Sequence, residues 1–339
     1  MNIILKLSRP KPTEVYETYW KFAAERQAVF FRRFRGEKPP WTKDPILLKH
    51  KFTNAYRAAD RVSQYLIRNV IYQGDQTPEE VFFRCILFKI FNRESTWETL
   101  RKEIGEIKLS NFSVERYGSI LAKAKDKGDR IFSAAYIMAS RGEEFRLPQK
   151  HRNYLGILQK MLDENLPSKL AESKSMADAF ALLLDYPLMG KFLAYQFATD
   201  INYSDLTNFS EMEFVMPGPG ALDGIRKCFS SIENYSEADV IRYMADNQNE
   251  EFERLGLKFQ SLWGRPLQLI DCQNLFCELG KYARVAHPEI KGVSDRKRIK
   301  QIFTASSQPI PYWFPPKWKL NHLIEKHTKP VYVETLELF

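Results

Sequence analysis

Phe214-Val215-Met216-Pro217-Gly218-Pro219-Gly220-Ala221-Leu222-Asp223-Gly224-Ile225 is the most specific stretch of the chain. Two glycines flank a proline between apolar segments, the pattern of a turn joining a helix that ends near Phe214 to one that starts at Ala221. Glycine permits positive φ, and the missing side chains let backbone N–H groups approach a phosphate at the second helix's N-terminus. This is the arithmetic of a helix-hairpin-helix, which grips a DNA strand by its backbone without reading sequence. A plain interhelical turn is the competing reading, and the Arg226-Lys227 pair in the same helix tips the balance towards DNA. Gly218, Gly220, Ala221, Arg226 and Lys227 are the backbone-binding candidates.

Outward from the hairpin, the pattern is helical nearly throughout. Thr13 to Phe34 reads as one long helix capped by Thr13, ended by Gly36 and Pro39-Pro40. Phe52 to Tyr72 reads as a second, closed by Gln73-Gly74-Asp75. Thr77-Pro78-Glu79-Glu80 then opens a third with a cap, a first-turn proline and acids at the dipole's positive end. Val81–Phe91, Thr96–Glu106 and Val114–Lys125 continue the series. Strand-like runs are few and short: Ile131–Met138, Leu267–Ile270 and Val331–Val333. The expected class is all-α, in two joined and interleaved helical lobes. Residues 1–145 form the basic lobe, and 146–339 carry the hairpin, a catalytic aspartate and an aromatic, proline-rich strap at Pro311–Trp318.

Composition narrows the function. The 339 residues carry 51 Lys+Arg against 42 Asp+Glu, a formal net charge of +9, with 44% hydrophobic and 14% aromatic residues. Disordered, collagen-like and low-complexity classes are excluded. No apolar run is long enough for a membrane span, and the first residues do not form a signal peptide, so a cytoplasmic protein is expected. Four cysteines without metal-ligand spacing read as reduced thiols; no metal or other cofactor is expected. Residues 1–61 hold 14 Lys+Arg against 6 Asp+Glu, whereas residues 231–260 hold 3 against 7. A basic lobe interleaved with Tyr16, Trp20, Phe30, Phe31, Phe34, Trp41 and Tyr56 fits phosphate neutralisation plus base stacking, or else a solvated face over ordinary core aromatics.

Leu267-Gln268-Leu269-Ile270-Asp271-Cys272-Gln273 places an aspartate where a helix begins, at the positive end of its dipole. An ionised carboxylate there suits cleavage of an N-glycosidic bond, which builds positive charge on the sugar. The simpler alternative makes Asp271 an N-cap.

The hairpin followed by Ile270-Asp271-Cys272-Gln273 resembles the helix-hairpin-helix DNA glycosylase superfamily. A closer resemblance is to the alpha-glutamyl/putrescinyl thymine pyrophosphorylase group, relatives of the helical domain of 5-hydroxymethyluracil DNA kinases. It rests on Pro39-Pro40-Trp41-Thr42-Lys43-Asp44-Pro45-Ile46-Leu47, Lys51-Phe52-Thr53-Asn54-Ala55-Tyr56-Arg57-Ala58-Ala59-Asp60-Arg61, the hairpin and Cys277-Glu278-Leu279-Gly280-Lys281-Tyr282. These landmarks run from residue 39 to 282. The resemblance implies action on modified pyrimidines in double-stranded DNA, without a membrane or protein partner. The family includes a bacterial anti-phage DNA glycosylase that removes glucosylated hydroxymethylcytosine, and the sequence looks similar to that branch. Two departures matter. Gly220 and Asp271 stand 51 positions apart, which makes the acidic stretch Glu233–Glu253 an insertion. Leu222 and Asp223 occupy the place where bifunctional members carry a Schiff-base lysine, so a monofunctional hydrolase leaving an intact abasic site is expected. The iron–sulfur loop of some relatives is also missing.

Within the basic lobe, Arg57, Asp60 and Arg61 fall at helical spacings i, i+3 and i+4, with Asn54 one turn before, so one face would gather donors and an acceptor for a flipped, decorated base. The alternative is a structural ion network. Tyr16 and Trp20 would stack on the base or fill the core, and Gln196, Gln273 and Asp200 would line the pocket. Glu278 and Lys281, at i and i+3, are either part of the site or a helical ion pair. A transferase displacing pyrophosphate from activated 5-hydroxymethyluracil, and a non-catalytic binder of modified DNA, remain as alternatives to the glycosylase.

Overall fold

A computed structural model describes residues 8–134, 149–306 and 310–325. It is all-α, with fifteen α-helices among the described residues and one two-stranded antiparallel sheet, β1 (Lys11–Pro12) on β2 (Phe229–Ser231). The helices run α1 (Glu14–Phe34), α2 (Pro45–Lys49), α3 (Arg61–Leu66), α4 (Pro78–Phe91), α5 (Glu94–Ile104), α6 (Val114–Asp126), α7 (Lys150–Asp163) and α8 (Leu166–Ala171). They continue with α9 (Met176–Leu184), α10 (Lys191–Ile201), α11 (Pro219–Cys228), α12 (Glu237–Asp246), α13 (Gln248–Arg254), α14 (Leu269–Ala286) and α15 (Asn321–Glu325).

Helix α1 forms where its caps dictate. Thr13 Oγ1 accepts from Val15 N at 3.2 Å, Glu14 and Glu17 occupy the first turn, and Arg32 and Arg33 the last. Its aromatics are core rather than a stacking platform. Trp20 is fully buried against Phe252, and Tyr16 packs on Phe229 with ring centres 5.4 Å apart. The helix lies against α14 and α11, while α7, α8 and α10 lie against α4. Packing therefore crosses position 145 in both directions, and a single apolar core runs through the described residues.

Three expectations are corrected. No helix ends near Phe214: α10 stops at Ile201, and residues 202–218 form turns and extended chain leading to α11. Gly218 has φ −83°, so it is not needed for positive φ. A Cβ on it would approach the Phe192 ring to 2.6 Å, and one on Gly220 would strike Cys277 Sγ. One level deeper, a Cβ on Gly224 would collide with the Phe276 carbonyl oxygen, and Gly280 faces Gly224 N. Gly224 and Gly280 therefore bring α11 and α14 into backbone contact, and Gly220 leaves room for the Cys277 side chain. Secondly, Phe52–Tyr72 is not one helix. Residues 51–56 are irregular, Arg57–Ala59 is a 3₁₀ turn, and α3 passes into a π turn at Ile67–Ile71. Thirdly, Leu267–Ile270 is no strand, since α14 begins at Leu269, and residues 131–134 are irregular. The rest of Ile131–Met138 and all of Val331–Val333 lie outside the described residues.

Candidate modified-base site

Helix α14 carries a polar stripe at Asp271, Asn274, Glu278 and Lys281, spacings of three, four and three that keep all four on one face. Each member bonds the segment from Lys51 to Arg57. Asp271 Oδ1 accepts from Arg57 N at 2.8 Å. Asn274 Nδ2 donates to Thr53 Oγ1 at 2.9 Å. Glu278 Oε2 accepts from Thr53 N at 3.0 Å, and Lys281 Nζ donates to the Lys51 carbonyl at 2.8 Å. From the other side, Arg26 donates to the Thr53 carbonyl at 2.9 Å, and Asp60 Oδ1 accepts from Asn54 N at 2.8 Å. The segment avoids a helix because its backbone groups are taken by side chains that arrive from elsewhere in the chain.

Asp271 is not the cap of α14. Gln268 caps the helix and Asp271 is the third residue in, its Oδ2 accepting from Gln268 N at 3.0 Å in a reciprocal capping box. Both carboxylate oxygens are thus held by backbone N–H groups. Burial pushes this carboxyl up to about 7, against the two N–H donors and Arg265, which favour the charge, while Glu211 adds to the rise. Asp60 is pushed to about 7 in the same way, burial outweighing its bond from Asn54 N.

Arg57 turns its side chain inward, away from its own main-chain bond to Asp271. Its guanidinium donates to both oxygens of Asp200 at 2.7 and 3.0 Å, to Gln196 at 3.1 Å and to the Tyr203 hydroxyl at 3.0 Å. Lys89 pairs with the same aspartate at 2.7 Å. Burial would raise Asp200, yet the two cations overcome it and hold this carboxyl below its ordinary value. The structure therefore brings Arg57, Gln196 and Asp200 together with Asp271 one peptide away. Arg61 points outward to Glu94 at 2.6 Å, so the expected common face of Arg57, Asp60 and Arg61 does not form. Asn54 is spent locally, donating to the Ala59 carbonyl at 2.7 Å. Gln273 is buried with its Oε1 unpaired among the described residues.

Among the hairpin candidates, Lys227 is withdrawn from solvent. Its ammonium donates to the Gly280 carbonyl at 2.8 Å and faces Asp223 at 3.7 Å, so it is not placed to meet a phosphate. Arg226 is exposed. Glu278 and Lys281 are both a helical pair, at 2.7 Å, and anchors of the Lys51–Arg57 segment. Of the four cysteines, all free, Cys277 is pushed up to about 12 by burial. Sequence reasoning missed Asn274, Arg26, Lys89, Tyr203 and Arg265. Only Asn274 was findable, from the stripe on α14. Two open clefts lie elsewhere, one of about 780 Å³ between α1 and the Glu37–Asp44 loop, and neither is lined by Asp271.

The family model described as 5-hmdU DNA kinase, helical domain, matches residues 13–292. The chain belongs to this family. The match takes in α11, the pinned Lys51–Arg57 segment and the α14 stripe. A 5-hmdU DNA kinase of Bacillus phage SP10 is 25% identical over 301 residues, covering 83% of this chain and 47% of that protein. The chain thus spans about half the length of this curated relative of the 5-hmdU DNA kinase helical-domain family. No solved structure matches. Resemblance to an enzyme of modified-base DNA is thereby supported, and the glycosylase assignment within it is not. No helix among the described residues is long and apolar enough to cross a membrane.

Proposed function

We propose that this chain is a cytoplasmic, monofunctional DNA glycosylase acting in phage defence, which flips a bulky modified pyrimidine from double-stranded DNA and hydrolyses its glycosidic bond. Glucosylated 5-hydroxymethylcytosine is the base in this reading. The observation that carries it is Asp271: a buried carboxyl fixed by Arg57 N and Gln268 N and titrating near neutrality. In a water-poor site such a carboxylate stabilises positive charge on the sugar far better than in bulk water. The C1′–N bond breaks, water adds at C1′, and its proton goes to the departing base or to solvent. Leu222 stands where the Schiff-base lysine would be, and Lys227 is committed to the Gly280 carbonyl, so neither position offers an amine to C1′ and an abasic site is left in this reading. The buried Arg57–Gln196–Asp200 group, with Gln273, would shape a base pocket to which both sides of residue 145 contribute.

A second reading is favoured by the family itself, whose name points to chemistry on the base: a transferase that displaces pyrophosphate from activated 5-hydroxymethyluracil with an amine or amino acid. Incubation with phage DNA containing glucosylated hydroxymethylcytosine, followed by alkali, separates the two. The glycosylase gives free base and alkali-labile strands, and Asp271→Ala reduces release by at least about a hundredfold. Intact strands whose nucleosides change mass on activated DNA would establish the transferase. Tight binding without either product would leave a sensor.

A further inference from the structure

Beyond α14, residues 291–306 run without helix, with a bend at Val293 and Ser294, and this segment contains Lys291, Arg296, Lys297, Arg298 and Lys300 against the single acid Asp295. All five basic side chains are exposed, and none forms an ion pair among the described residues. The chain beneath them is nevertheless fixed. Ser294 N donates to the buried Asp223 Oδ1 at 2.8 Å, and Gly292 packs so closely on Asp223 and Lys227 that a Cβ there would clash. Ile299 is buried. Farther along, Lys51 N donates to the Gln301 carbonyl and Phe303 N to the Lys49 carbonyl, both at 3.1 Å, which brings exposed Lys49 and Lys51 alongside. At the other end, Arg226 projects from α11 one turn after the Asp223 anchor. Arg284 of α14 is disfavoured as a cation first by burial and further by Arg296, against the pull of Asp223, which it faces at 3.9 Å. Basic groups are crowded on an anchored backbone without enough acids to answer them, an arrangement completed by an anion of repeated charge.

We propose that this anchored strip, with Arg226, is the docking surface for the sugar-phosphate backbone of duplex DNA. Extended from Ser294 to Phe303 it reaches at most about 30 Å, enough to follow several successive phosphates. The α14 helix fixes its distance from Asp271, since Arg284 stands thirteen residues, or about 20 Å, along the same rod. The strip thereby takes the role that buried Lys227 cannot fill, and it rests on the DNA reading given above.

The test is the salt dependence of binding to a labelled duplex, measured by anisotropy between about 50 and 200 mM salt for the full chain. The triple variant R296Q/K297Q/R298Q is compared with K123Q/K125Q/K127Q, which removes three exposed lysines from α6 and its C-terminal end. The expected result is a log–log slope shallower by about 2 to 3 for the strip variant, and by less than about one half for the control. Equal slopes in the two variants, or a wild-type chain that binds no duplex, overturn the proposal. Base release is read in parallel on modified DNA. A wild type that binds with the expected slope but releases no base removes the glycosylase and leaves the strip standing.

Discussion

Asp271 is the residue on which the proposed chemistry and the stability of the fold meet. Its carboxyl is raised by burial to about 7, so between its unfolded value near 4 and 7 the folded chain binds the extra proton more tightly than the unfolded one. Stability is therefore highest at acid pH with respect to this group and falls as pH rises through that window, by up to about 1.4 kcal/mol per pH unit. Asp60, also at about 7, acts in the same direction. Asp271→Asn removes one titration and flattens the pH dependence of the urea midpoint between about pH 4 and 7; an unchanged slope would contradict the assignment. The amide cannot accept from both Arg57 N and Gln268 N, so the variant also loses about 1–3 kcal/mol throughout that range. If the ionised form does the work, base release by the wild type rises through pH 7 as stability falls.

At the scale of elements, the α11–α14 contact decides what substitution the glycines of α11 tolerate. A methyl on Gly224 meets the Phe276 main-chain oxygen, which cannot move without moving α14, whereas one on Gly220 meets the thiol of Cys277, the end of a side chain that can rotate. Gly224→Ala should cost more than about 3 kcal/mol in denaturant unfolding and Gly220→Ala distinctly less. Adding Cys277→Ala should recover part of the Gly220→Ala loss and none of the Gly224→Ala loss. The same contact explains what was readable beforehand. Helices α1 and α4 were legible because Thr13, and Pro78 with Glu79 and Glu80, are local signals obeyed locally. The Lys51–Asp60 segment misled because Asn54, Arg57, Asp60 and Arg61 have helical spacing, while Thr53 N, Asn54 N and Arg57 N bond Glu278, Asp60 and Asp271 instead. Two of those three acceptors lie more than two hundred positions away. Hairpin glycines were legible as important, but their reason, helix contact rather than turn conformation, exists only once α14 is in place.

Residues 310–325, which include the strap expected at Pro311–Trp318, lie beyond the 13–292 family match and pack back on the core. Tyr312 packs on Phe30 with ring centres 4.9 Å apart, Trp313 N donates to Gln64 Oε1 at 2.8 Å, and Phe314 is fully buried. The Arg265 guanidinium lies 3.8 Å from the Trp318 ring centre and pairs with Glu211, two groups that bear on the Asp271 charge. Lys317 enters the same region and donates to the Ser204 and Thr207 carbonyls at 2.8 and 2.6 Å. Burial lowers this lysine to about 8. Between about 8 and its ordinary 10.5 the unfolded chain holds the proton that the folded chain releases, so the burial penalty is complete below 8 and is relieved as pH rises. Lys317→Met removes this titration, so the wild-type thermal midpoint should gain on the variant from pH 8 to 10, and a constant difference would show that the ammonium is not buried. Trp318→Ala tests the strap itself. It removes the cation–π contact and about 2–3 kcal/mol of packing, which lowers the midpoint by roughly 5 °C and opens the strap to limited proteolysis. Because Trp318 packs on Tyr203 and Arg265, whereas Gly224 packs on Phe276 of α14, the Gly224-dependent core should survive that cut as a resistant fragment; simultaneous loss of the core would mean that strap and core unfold as one unit.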